Sequence, residues 1–431
     1  MFCGNCLRDN ALVAALRAMG HGVLMVPLYL PLTLDETDQS AGTPIFFSGI
    51  NVYLEQKSSW FRGAPGWLHK LLASPSLLKL AAGQAGKTRA ADLGALTLSM
   101  LRGEAGNQAR ELDDLIRWLK TQSKPDVVFL SNVLLLGMAR DLKKELNRPV
   151  VCMLQGEDYF LDSLSEPHRT ACWEILSARA KDADLFVAPS RYFADLMQGR
   201  LGLAPERVRV VYNGISLEGY SGERATQSKE SRRETSPHDP AALGYLARMC
   251  PEKGLDTLVE AFIKIRQRKR IARLKLCVAG SLGPADESFV GSLKQRLHAA
   301  GLANDAEFHP NVDRTSKLAL LESFSVFSVP ARYGEAFGLY VIESLAAGVP
   351  VVQPRSAAFP ELLDLTGGGV LCEPNNPQSL AEGIEILLLQ PELARSLGAA
   401  GRKAVVEKLS AEVMARNFVD AVKSLDLCLS K

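Results

Sequence analysis

The run LGYLARMCPEKGLDTLVEAFIKIRQRKRIARLKLCVA, residues 243–279, decides the fold. It opens on a short apolar segment of strand type, Leu243–Leu246, and turns through Pro251 to Gly254. A helical stretch, Leu255–Arg266, follows, and then a second buried-strand run, Leu274–Ala279. Apolar strands separated by helices are the mark of a parallel sheet covered on both faces.

The rhythm continues in both directions. Downstream come helix Phe289–Ala299, strand Glu307–His309, helix Ser316–Glu322, strand Val326–Pro330, helix Leu339–Ala347 and strand Val349–Gln353. Upstream it runs through helix Glu111–Thr121, strand Val127–Leu130, helix Leu134–Leu146, strand Val150–Leu154, helix Arg169–Ala180, strand Leu185–Ala188, helix Tyr192–Leu201 and strand Val208–Tyr212. Between the two sets, Ser216–Ala241 is rich in serine, glutamate, arginine and proline and reads as an exposed linker. Two doubly wound α/β domains are therefore expected, over residues 1–215 and 242–410, with a cleft at the carboxyl ends of their strands.

The beginning of the chain is less regular. A helix is expected over Asn10–Met19, with Gly20 as its stop, followed by a strand over Val23–Pro27. Met1–Cys6 reads as the loop that follows a first strand, and that strand is not in the sequence. The expectation is that the natural start lies upstream. Residues 45–104 break the pattern with Trp60, Phe61, Trp67 and leucine-rich pieces. They suit a helical insertion packed on its domain, or an apolar surface for an acceptor or a membrane.

Composition bounds the function. The 431 residues fit two or three domains, and 47% are hydrophobic, enough to bury two cores. A formal charge of +2, with only short basic runs at 229–233 and 264–273, gives no reason to expect a nucleic-acid partner. No stretch offers the roughly 18 apolar residues of a membrane span. Asp9, Arg17 and His21 argue against a secretory signal. Eight scattered cysteines fit reduced thiols and a cytoplasmic chain, with peripheral membrane contact left open. Cys3 and Cys6 form a lone Cys-x-x-Cys pair, which lacks the second pair that a zinc site needs.

The chemistry concentrates at two strand-to-helix turns. In RYGEAFGLYVIE, residues 332–343, Gly338 allows close backbone approach, and the free amides of the next helix make an anion site. Glu335 lies in the loop and Glu343 about two turns into the helix. Two carboxylates flanking an anion site suit a ligand that is polyhydroxylated at both ends and phosphorylated between. In LARMCPEKG, residues 246–254, Arg248 offers a planar fork and Lys253 a point charge. Together they suit a diphosphate leaving group that gains negative charge as a glycosidic bond breaks.

The segment Glu335 to Glu343 resembles the E-x7-E motif of the family 4 glycosyltransferases, retaining enzymes of the GT-B fold. Arg248 and Lys253 resemble that family's G-R-x-x-x-x-K-G turn, with Ala247 in the usual glycine position. Tyr212-Asn213-Gly214-Ile215 resembles its N-G-[VI] turn, and Pro360-Glu361 with Gly367–Gly369 its P-E…G-G element. The likeness covers 182–409 and thins out before that.

The resemblance implies a GT-B protein that moves a hexose, without metal or other cofactor, from a UDP-, GDP- or ADP-sugar to an unidentified acceptor hydroxyl. It implies that Glu335 holds hydroxyls of the sugar and Glu343 the ribose. Backbone amides of Phe337, Gly338 and Leu339 meet sugar and diphosphate, with Gly4 as a further contact, and Arg248 and Lys253 bind the diphosphate. The base rests near His309–Val312. The C-terminal helix, Ala411–Leu425 within 411–431, rejoins the first domain.

One departure bears on turnover. Gln155 stands where the family often has histidine, and glutamine donates a hydrogen bond but cannot shuttle a proton near neutral pH. A front-face retaining mechanism can use the leaving phosphate oxygen as base instead. The alternative from another class is a catalytically silent nucleotide-sugar-binding protein. A dehydrogenase is disfavoured, because no G-x-G-x-x-G follows an early strand.

Overall fold

The computed structural model describes residues 4–28, 36–47, 90–220 and 240–425. The aromatic segment with Trp60, Phe61 and Trp67, the Cys3 half of the Cys-x-x-Cys pair and linker residues 221–239 lie outside the described residues. The chain forms two compact units: Met1–Leu12 with Tyr212–Met414, and Val13–Val211 with Ala415–Lys431.

The unit around residues 13–211 begins within helix α1 (Gly4–Ala18) and continues with α2 (Ala90–Leu101) and α3 (Ala109–Leu119). Then come β1 (Val128–Leu130), α4 (Ala139–Leu146), β2 (Val150–Met153), α5 (Glu157–Ser163), α6 (His168–Arg179), β3 (Leu185–Ala188), α7 (Arg191–Leu201) and β4 (Val208–Val210). Among the described residues its strands pair in parallel in the order β1-β2-β3-β4. Every residue of β2 and β3 is buried, which explains why both read as unbroken apolar runs.

The other unit carries β5 (Ala241–Leu246), α8 (Leu255–Arg268), β6 (Leu274–Gly280), α9 (Glu287–Ala299), β7 (Ala306–Pro310), α10 (Arg314–Ser323) and β8 (Val326–Phe327). It continues through α11 (Leu339–Ala346), β9 (Val351–Pro354), α12 (Phe359–Thr366), β10 (Gly369–Cys372), α13 (Pro377–Leu389) and α14 (Pro391–Lys408). Helix α15 (Ala411–Lys423) passes from this unit to the first, where the Phe418 ring lies 4.7 Å from that of Phe129 of β1, tilted by 44°. The parallel order is β10-β9-β8-β5-β6-β7. From β5 the chain first builds outward through β6 and β7, then returns to lay β8 on the other side of β5. The carboxyl ends of β5 and β8 thus flank a topological switch point, where open α/β sheets bind ligands.

Helix starts follow from local hydrogen bonding. Ser190 accepts from the Phe193 amide at 3.1 Å to cap α7, and Asp313 accepts from the Ser316 amide at 2.7 Å to cap α10. Asn376 accepts from the Gln378 and Ser379 amides, each at 3.0 Å, to cap α13.

Several expectations need correcting. Helix α1 begins at Gly4, so Gly4 and Cys6 are helical and not in a loop. Residues 23–27 form no strand, because no neighbouring strand offers them a ladder among the described residues. Val133–Met138 is a 3-10 segment and only Ala139–Leu146 is α-helical. The linker reading fails at its near end, since Tyr220 is 5% exposed within the core and its carbonyl accepts from Arg402 at 2.8 Å. The run from 354 to 408, read only for its Pro-Glu and glycine elements, supplies β10 and three helices.

Candidate active site

The turn that follows β5 and the loop that follows β8 meet at the switch point, and glycine makes the approach possible. Gly254 has φ +69°, and a Cβ there would overlap the Pro330 carbonyl oxygen. The Arg332 amide donates to the Glu252 carbonyl at 2.9 Å, and the Arg332 guanidinium to Asp256 at 2.6 Å. These contacts bring Lys253 against the 332–338 loop.

Lys253 Nζ donates to Glu335 Oε2 at 2.6 Å. Tyr340 Oη donates to the same oxygen at 2.8 Å and Tyr333 Oη at 3.2 Å. Lys253 also donates to the Tyr333 hydroxyl, and its ammonium stands 4.8 Å and 5.1 Å from the ring centres of Tyr333 and Tyr340. Three donors therefore converge on Oε2, and Oε1 takes none of them. Burial pushes the Glu335 carboxyl upward, but the charge and hydrogen bond of Lys253 and the two tyrosine hydroxyls outweigh it. The carboxylate is held below its usual range. Burial, together with the Glu335 charge, drives both tyrosines well above theirs, so they stay protonated donors.

Gly338 is the N-cap of α11, with φ +94°, and a Cβ there would crowd Phe359 Cε1 at 3.1 Å. The start of α11 is thereby left to backbone, with Phe337 buried behind it. A Cβ at Gly4 would stand 3.7 Å from Leu339 Cδ1, which brings the first turn of α1 to the same place. Farther along α11, Glu343 pairs with Lys317 Nζ at 3.0 Å and with the Tyr220 hydroxyl at 3.4 Å.

Arg248 does not join the Lys253 cluster. Its Nε donates to Asp286 Oδ2 at 2.9 Å and Nη2 to Oδ1 at 3.3 Å, which raises the guanidinium pKa further. His309 lies on β7 with Nε2 3.5 Å from Glu307 Oε2, and Val312 packs against the core just beyond that strand. Gln155, in the other unit, follows β2, and its backbone amide donates to Glu157 Oε2 at 2.7 Å.

Sequence reading missed five groups. Tyr333 and Tyr340 were visible only as aromatic letters inside the motif. Asp286 sits in a stretch with no local pattern and Lys317 on an expected helix that carries no ligand motif, and only the fold brings them to Arg248 and Glu343. Glu157 was also passed over; it is 5% exposed and accepts from the amides of Val133 and Gln155, fixing the loop after β2.

Two parallel α/β units with a ligand-type switch point define the class, and comparison with solved structures agrees. HepE of Anabaena, solved with UDP, aligns with a TM-score of 0.63 at 16% identity over 93% of this chain and 100% of that one. Sucrose-phosphate synthase from Thermosynechococcus elongatus aligns with a TM-score of 0.61 at 20% identity over 74% of this chain and 78% of that one. The fold is GT-B.

Family models narrow this further. "Glycosyl transferases group 1" matches residues 226–404 and "Glycosyltransferase Family 4" matches 100–218. The chain belongs to the family 4 glycosyltransferases. A GDP-mannose-dependent alpha-(1-6)-phosphatidylinositol monomannoside mannosyltransferase of Mycobacterium tuberculosis is 26% identical over 219 residues, 49% of this chain and 55% of the relative. A D-inositol 3-phosphate glycosyltransferase of Thermobifida fusca is 27% identical over 222 residues, 51% of this chain and 50% of the relative. The matched segment thus spans about half the length of these relatives. No helix among the described residues is long and apolar enough to cross a membrane.

Proposed function

We propose that this chain transfers a hexosyl group, with retention of configuration, from a nucleotide diphosphate sugar to an acceptor hydroxyl, without a metal ion. The observation that carries the reading is the clamp on Glu335. A carboxylate whose Oε2 is occupied by three donors and whose Oε1 is not is a fixed acceptor for sugar hydroxyls. It stands in the loop that leads into the free amides of α11, which suit a diphosphate. Glu343, Gly4, Phe337 and Leu339 line the same reading, and His309 and Val312 serve the base end.

In the reaction, the bond from the anomeric carbon to the diphosphate oxygen breaks as the acceptor oxygen bonds to the same face of that carbon. The acceptor proton passes to the departing phosphate oxygen, so Gln155 needs only to orient a hydroxyl. Lys253 meets the charge that grows on the leaving group, and Arg248 contributes from the neighbouring turn once its fork is shared between Asp286 and phosphate. The GDP-mannose dependence of the mycobacterial mannosyltransferase supports a nucleotide-sugar donor.

The test is turnover with a panel of UDP-, GDP- and ADP-sugars. Lys253→Ala and Glu335→Ala are expected to lower transfer by roughly 100-fold or more at unchanged circular dichroism. Wild-type rates in both variants would remove the site assignment. Donor binding without hydrolysis or transfer by the unaltered chain would remove the enzyme reading.

A further inference from the structure

A second cluster of chemically active side chains lies on the edge of the same sheet. Cys277 of β6 is the register partner of Glu307 on β7, and Ala279 that of His309. Side chains alternate along a strand, so Cys277, Glu307 and His309 share one face. One ligand atom from each lies within 4.8 Å of the others. Sulfur, carboxylate oxygen and imidazole nitrogen at that spacing need only small rotamer changes to share one cation. A second observation points the same way. His309 Nε2 is buried with no hydrogen-bond partner among the described residues, although it stands 3.5 Å from Glu307 Oε2. Such atoms call for a specific explanation, a bound ion among them.

We propose that Cys277, Glu307 and His309 form a binding site for a borderline divalent cation of the zinc class. The mixed sulfur, nitrogen and oxygen set suits Zn2+ and excludes Mg2+ and Ca2+, which take oxygen. Three protein ligands leave a fourth position for water or an incoming group. Lys275 holds Glu307 at 2.7 Å, but both side chains are more than two-fifths exposed, and an exposed pair of this kind is a weak competitor for the carboxylate. Cation binding takes the proton from the Cys277 thiol and releases it to solvent. The site shares His309 with the proposed base end of the donor site, and its test reads metal binding and does not depend on transfer.

The experiment titrates the reduced, metal-free full chain with Co2+ and then Zn2+. One equivalent of Co2+ is expected to give a thiolate-to-cobalt charge-transfer band, which Zn2+ then removes. Cys277→Ser is expected to abolish the band. His309→Gln, a change at a partly exposed ring, is expected to weaken Co2+ binding roughly tenfold or more. Cys6→Ser, in the other cysteine motif, leaves it in place. No band, a band that survives Cys277→Ser, an unchanged Co2+ affinity in His309→Gln, or a band lost in Cys6→Ser overturns the proposal.

Discussion

Glu335 shows how a single residue can be legible and still incompletely read. Its place eight residues before Glu343 was plain in the sequence. That three donors share its Oε2 was not, because Lys253 comes from 82 positions away. The consequence is testable in pH. The tyrosine hydroxyl of Tyr340 stabilises the ionised carboxylate, so Tyr340→Phe raises the Glu335 pKa. The acid limb of kcat/KM for donor is therefore expected to move to higher pH, read from a pH–rate profile. An unmoved limb would show that Tyr340 does not act through Glu335. The same sign governs stability. A depressed carboxyl contributes stability above the ordinary carboxylate range, and that contribution fades as the pH falls through its lowered value.

At the scale of elements, the β5–α8 turn is fixed by backbone more than by side chains. Gly254 holds a left-handed conformation against the Pro330 carbonyl, and the Arg332–Glu252 hydrogen bond closes the other side. Gly254→Ala is expected to destabilise the protein by about 1–2 kcal/mol from conformation alone, and by more where Pro330 must shift. A urea midpoint unchanged from wild type would contradict this. Element boundaries were legible where an apolar run met a cap, as at Ser190 or Asp313. They were not legible at 23–27, where strand-like composition has no partner to pair with. Nor could composition show that Val133–Met138 winds as 3-10, since apolar letters alone do not set helix pitch.

For the whole molecule, each unit is organised around its own parallel sheet. Phe262 of α8 is fully buried in the core of the β5–β10 unit. Phe262→Ala is expected to cost about 3–5 kcal/mol, seen as a lowered denaturation midpoint. A loss under about 1 kcal/mol would mean that the core collapses to fill the space.

What the sequence by itself determined is the class: alternating apolar strands and helices, two carboxylates with seven residues between them, and a basic turn that opens a helix. These are local patterns, carried by residues close together in the chain. Only the tertiary structure decided what each group touches. The switch between β5 and β8 brings Lys253 to Glu335, while Asp286 draws Arg248 aside. Ladder pairing of β6 with β7 sets Cys277 beside Glu307 and His309. Such contacts depend on strand order and register, which arise from packing across distant segments and leave no periodic trace in the chain.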